Sequence, residues 1–172
     1  MGNILKMNKL IAGIFLVFLS GCANTIGTAP QEGYSGFDDA RIVNLPPHGN
    51  ACTGWVCTGL GAQWSDEHPD QALLIVTVFN DTTAVTGALL NIDGEKIRLD
   101  PSQASTSFDS EVIATSSKAY LVPLSLIRRI VDAKRVWMRV ETPSGTIEDA
   151  IIDGSTDSKS YHALKRFLAA IG

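Results

Sequence analysis

The chain has 172 residues, of which 14 are basic and 18 acidic, giving a net charge of −4. The charges are scattered without a run of one sign, which argues against nucleic acid and against an anionic membrane surface as partners. The length predicts one ordinary domain, large enough to bury about 70% of its unfolded surface, so no metal or cofactor is needed for folding.

Met1 to Lys9 carries Lys6 and Lys9 and no acid. Leu10 to Leu19 is a ten-residue apolar run. A membrane-spanning helix needs roughly 20 apolar residues, so this run predicts an export signal instead. It closes on Leu19-Ser20-Gly21-Cys22, which resembles the lipobox of bacterial lipoproteins. The resemblance implies that residues 1–21 are a signal peptide, cut between Gly21 and Cys22. The small Ser20 and Gly21 would let the peptidase reach the backbone. Cys22 would then carry diacylglycerol on its sulfur and a further acyl chain, such as palmitate, on its new amino group. Each buried methylene contributes about 0.8 kcal/mol, and two or more chains are needed for firm anchoring. Position 23 is Ala and not Asp, which resembles an outer-membrane sorting signal. Met7-Asn8-Lys9 is an alternative start that keeps a basic segment. The alternatives to lipidation are an uncleaved anchor and a plain secretory signal. N-myristoylation is not indicated, because Met1-Gly2 is followed by Lys6 where Ser or Thr is required.

Cleavage would leave residues 22–172, with a net charge of −6 once Lys6 and Lys9 are lost. Three cysteines are an odd number for an exported protein. Lipidation of Cys22 leaves Cys52 and Cys57, which an oxidising compartment would join. A closed loop this short contributes about 2 kcal/mol through chain entropy. The spacing is not the Cys-x-x-Cys of a redox pair.

Residues 22–40 read as the lipidated N-terminus and a flexible tether, rich in Gly, Ser, Thr and Asn. Tyr34 and Phe37 are the groups expected to dock back on the domain, which is placed at residues 41–172. A first strand is expected at 41–45, stopped by Pro46-Pro47. His48 to Gly61 reads as a glycine-rich loop pinned by the disulfide, with a short strand from Ala62 to Trp64. Leu73 to Phe79 is apolar on both alternating faces and predicts a buried central strand. Val85 to Ile92 and Glu95 to Leu99 complete an expected meander, joined by Asp93-Gly94. Gly87 marks a bulge or a close approach. Pro101 to Ser110 is expected to be an exposed connection.

Lys118 to Val122 predicts another strand, and Pro123 opens a helix. Leu126, Ile127, Ile130 and Val131 make one apolar stripe. Arg135 to Glu141 alternates, with Val136, Met138 and Val140 on one side and Trp137 and Arg139 on the other. Thr146 to Ile152 pairs back. Asp157 or Ser158 caps a last helix whose apolar face holds Tyr161, Leu164, Phe167, Leu168 and Ile171. The element order predicts an α+β fold, a largely antiparallel sheet with two helices packed on it. The alternative is a β-sandwich with a C-terminal helix.

The chain lacks Gly-x-Ser-x-Gly, Ser-x-x-Lys, His-Glu-x-x-His and phosphate-loop patterns. Asp153 to Asp157 begins like a calcium loop, but position 12 of such a loop is Leu164. Asp66-Glu67-His68-Pro69-Asp70 gathers one imidazole and three carboxylates, a combination suited to metal or acid–base work, and also ordinary for an exposed turn. His162 falls on the wet face of the last helix. Trp55 and Trp64 flank the pinned loop with His48 upstream, and they form the candidate contact surface. The alternative is that both indoles fill a satellite core. The leading expectation is a non-catalytic lipoprotein of the bacterial outer membrane, facing the periplasm, without catalytic or metal residues. It would be membrane-held through its lipid and would bind a protein or envelope component. The alternatives are a periplasmic hydrolase using His48 or His68 as base, and a carrier with an apolar cavity between sheet and helices.

Overall fold

The computed structural model describes residues 27–100, 105–110 and 112–172. The lipobox, Cys22 and the apolar run before it lie outside the described residues. In chain order the first strands are β1 (Gln31–Tyr34), β2 (Arg41–Gly49), β3 (Cys57–Ser65), β4 (Gln71–Phe79), β5 (Gly87–Ile92) and β6 (Glu95–Arg98). Then come β7 (Ser107–Asp109), β8 (Thr115–Pro123), α1 (Leu124–Asp132), β9 (Arg135–Thr142), β10 (Gly145–Asp153), β11 (Thr156–Asp157) and α2 (Lys159–Ile171). One sheet runs β1-β2-β3-β4-β8-β7 and the other β11-β10-β9-β5-β6. The strand pairings within both sheets are antiparallel. The fold is antiparallel β-sheet with two packed helices, as the element order predicts. No helix among the described residues is long and apolar enough to cross a membrane.

The expected meander does not form, because β4 and β5 belong to different sheets. The edge of β4 that would have received β5 is taken by β8. Residues 80–86 cross between the sheets instead of turning back. Their amides are tied off locally: Asn80 N–H donates to Ala114 O, Thr83 N–H to Ser116 Oγ and Thr86 N–H to Glu141 O. Asn80 sits at φ 64°, which redirects the chain.

Pro46-Pro47 does not end its strand. The two prolines form a bulge between the pairs Leu45↔Ala62 and His48↔Leu60. A bulge leaves one residue out of the ladder, so a missing N–H costs nothing there. Gly61 stands opposite, where an added Cβ would lie 2.6 Å from Leu45 O and 2.9 Å from Pro47 N. Half of the loop expected over 48–61 is therefore the ends of β2 and β3, and residues 50–56 connect them.

The tether also folds further than its composition suggests. Gln31–Tyr34 pairs with Arg41–Asn44 as an edge strand. Arg41 fastens it, reaching Glu32 at 2.9 Å and Ala170 O, at the end of α2, at 2.6 Å. Tyr34 and Phe37 do not dock back; they are 77% and 95% exposed.

Both sheets and both helices share one core. Its fully buried members include Leu45, Leu60, Leu74, Tyr120, Met138 and Phe167. Each such side chain contributes about 1.5–3 kcal/mol on burial. Helix α1 buries Leu126, Ile127 and Ile130 at the predicted spacing. Pro123 is its N-cap and not its first helical residue. Helix α2 is capped by Ser158, whose hydroxyl accepts from Tyr161 N–H, and it buries Ala163, Leu164 and Phe167.

Candidate functional site

The disulfide Cys52–Cys57 forms, with its Cα atoms 5.5 Å apart. It closes the connection between β2 and β3. Further bonds brace that loop. Asn80 Nδ2 donates to Trp55 O at 2.8 Å, and Ala51 N–H donates to Ala150 O of the other sheet at 2.8 Å. Val56 turns inward against the core. Trp55 points the other way and is 81% exposed.

The residues expected to share a contact surface with Trp55 are elsewhere. Trp64 is only 7% exposed and belongs to the core. Its indole N–H donates to Pro69 O at 3.0 Å, and the Arg41 guanidinium stands 5.8 Å from its ring centroid. The two indoles sit on different parts of the chain, Trp55 in the loop before β3 and Trp64 near the end of that strand. His48 pairs with Leu60 on the core side of β2, and its Nε2 is buried without a partner among the described residues. Burial, helped by the positive charge of Lys159, pushes the His48 imidazole below its ordinary value of 6.5. Of the three residues, Trp55 alone is presented to solvent.

The histidines expected to serve a hydrolase have no catalytic geometry among the described residues. His48 Nε2 has no hydrogen-bond partner among the described residues, neither a hydroxyl nor a carboxylate. His68 lies in an exposed turn held by backbone bonds, His68 N–H to Ser65 O and Gln71 N–H to His68 O. No group of three metal-ligating side chains occurs among the described residues. His162 is not simply solvated: its Nε2 lies 2.6 Å from Asp157 Oδ2.

Beneath the Trp55 loop lies a buried polar cluster that joins β2, β3, β10 and α2. Asp149 Oδ2 accepts from Thr58 N–H at 2.8 Å and from Thr58 Oγ1 at 2.7 Å. Asn50 Nδ2 donates to Thr58 Oγ1 at 2.9 Å, and Ser160 Oγ donates to Asn50 Oδ1. Ser158 Oγ closes the chain by donating to Ile151 O at 2.8 Å. All five residues are buried. Satisfied networks of this kind hold geometry tightly, and this one fixes the base of the loop that carries Trp55.

A second feature lies on the outer face of the other sheet. A cleft of about 330 Å³ is lined there by Asn91, Lys96, Arg135, Trp137, Arg139 and Glu148, among others. Trp137 N–H donates to Asp153 Oδ2 at 2.8 Å, and Arg135 Nε donates to the same atom at 3.1 Å. The indole N–H first, and Arg135 with it, hold the Asp153 carboxyl below the usual range. Asp153, which opens the calcium-like stretch of the sequence, ends β10 and is the anchor of an indole. Gly87 is a close approach and not a bulge: the Arg98–Glu141 ion pair crosses it where a Cβ would stand.

No protein-family model matches the chain, and neither a curated protein nor a solved structure matches it.

Proposed function

We propose that this chain is a lipid-anchored protein of the bacterial envelope that acts by binding, without catalysis, through the loop that carries Trp55. The lipobox Leu19-Ser20-Gly21-Cys22 supports attachment at Cys22, and Ala23 favours the outer membrane, with the domain in the periplasm. The observation that carries the contact role is the pairing of high exposure with rigid support. Trp55 is 81% exposed, yet its loop is closed by a disulfide and braced by Asn80. A large indole on a pre-ordered loop loses little entropy when a partner covers it, and tryptophan is among the residues that most often dominate interfaces. The partner is a protein or another envelope component.

Two measurements test this reading. Metabolic labelling with a palmitate analogue marks the wild type and not Cys22→Ser, which accumulates as an uncleaved precursor. Photocrosslinking from position 53, beside Trp55, captures a partner that Trp55→Ala no longer yields. An unlabelled wild-type Cys22 refutes the anchor. A crosslink pattern unchanged by Trp55→Ala refutes the contact role.

A further inference from the structure

We propose that the outer face of the second sheet is a binding site for a small anionic sugar, seated at Trp137. This site is separate from the Trp55 loop and does not depend on the anchor. Strand register builds it. Lys96, Asn91 and Trp137 are consecutive cross-strand neighbours on β6, β5 and β9. One pair further along β9, Arg139 faces Glu148 of β10. Residues two apart on a strand share a face, so Arg135, Trp137 and Arg139 project together, with neighbouring strands about 4.8 Å away. The half-buried indole and the flanking charged side chains therefore form one surface.

Three properties select the ligand. The first is charge. The cleft is lined by three cationic side chains and one carboxylate, in a chain that is acidic overall. Arg135 and Arg139 are partly neutralised by Asp153 and Glu148. Lys96 forms no ion pair among the described residues and supplies the surplus positive charge.

The second property is an orphaned amide. Asn91 Oδ1 is buried and has no partner among the described residues. A buried acceptor left unmade costs about 1–3 kcal/mol, so a ligand that satisfies it gains that amount. A sugar hydroxyl both donates and accepts, and so serves this amide in either of its two orientations. An aromatic carboxylate brings no such donor. The third property is size. About 330 Å³ is near the lower end of ligand sites, which run about 300–1,000 Å³, and suits one ring. The anion on that ring is a carboxylate or a phosphate, and either meets Lys96 and Arg139.

The test follows the Trp137 indole N–H resonance in the ¹⁵N-labelled full chain in detergent, assigned with Trp137→Phe. Glucuronate, glucose 6-phosphate, glucose and inorganic phosphate are titrated separately. The expected result is a saturable shift with glucuronate, glucose 6-phosphate or both, at least tenfold weaker with glucose and with phosphate. Response to one anionic sugar alone supports the site and names its anion. Lys96→Gln, an exposed change outside any ion pair, weakens the anionic sugar about tenfold while the other resonances keep their positions. No saturable shift with either anionic sugar overturns the proposal. An equal response to phosphate reduces the site to a bare anion patch and overturns the sugar assignment. An equal response to glucose, or an unchanged affinity in Lys96→Gln, overturns the charge argument.

Discussion

Replacing Asp149 by alanine removes the acceptor on which two sheets meet. Its Oδ2 takes both the N–H and the hydroxyl of Thr58, at 2.8 and 2.7 Å. Hydrogen bonds to a carboxylate contribute about 1.5–3 kcal/mol each, which sums to about 3–6 kcal/mol. Thr58 is fully buried and Asp149 is 6% exposed, so water does not replace the lost partner, and the Thr58 N–H is stranded. With a urea slope of about 2 kcal/mol per molar, the unfolding midpoint falls by about 2 M. Asp149→Asn keeps one oxygen at the meeting point, and about half the loss is expected. Far-ultraviolet circular dichroism during urea titration measures all three proteins. A midpoint shift under about 0.5 M for Asp149→Ala, at unchanged slope, would mean that the cost of burying the carboxylate cancels its bonds. The cluster would then contribute geometry and no stability, and the reasoning above would fail.

The two indoles should behave in opposite ways: Trp64→Ala is expected to lose about 3–5 kcal/mol, and Trp55→Ala to stay within about 0.5 kcal/mol, in the same titration. A thiol reductant should lower stability by about 2 kcal/mol, the loop-closure value for six residues, and a Cys52→Ser/Cys57→Ser variant should no longer respond to it. His48 gives a pH dependence with a defined sign. Its folded value lies below 6.5, so the unfolded chain takes up the proton first as pH falls. Stability is full above pH 6.5, declines as pH drops from there toward the depressed folded value, and is flat below it. His48→Gln should flatten that decline; an unchanged slope in thermal melts across the window refutes the assignment.

Much of the architecture could be read from periodicity. Leu73–Phe79, Arg135–Glu141 and the stripe Leu126, Ile127, Ile130 form the expected elements because their apolar spacing matches one burial pattern. The errors share a cause. Ala62 to Trp64 reads as strand, but the first half of β3 does not, because Gly59 and Gly61, which read as loop, are strand positions facing an aromatic ring and a bulge. The hairpins β5–β6 and β9–β10 are legible, but the split into two sheets is not, because residues 80–83 signal a hairpin locally while the second partner of β5 is β9, far along the chain. Trp55 and Trp64 look alike in sequence; the register of β3 turns Trp64 to the core beside Val43, while Trp55 stands in the loop before that strand. Asp149 reads as one more surface acid on an alternating strand. Its role depends on Thr58, 91 residues away, and no local signal carries that.

The bond between Ser160 and Asn50 spans 110 residues. The opening hairpin of the domain is therefore finished by its closing helix. A chain emerging from its N-terminus can shape β2 and β3 early, but their base stays unlocked until the final segment arrives. Contacts so distant along the chain slow assembly. A product cut short before residue 160 would leave the Asn50 side chain without its Ser160 donor, at the base of the loop that carries Trp55.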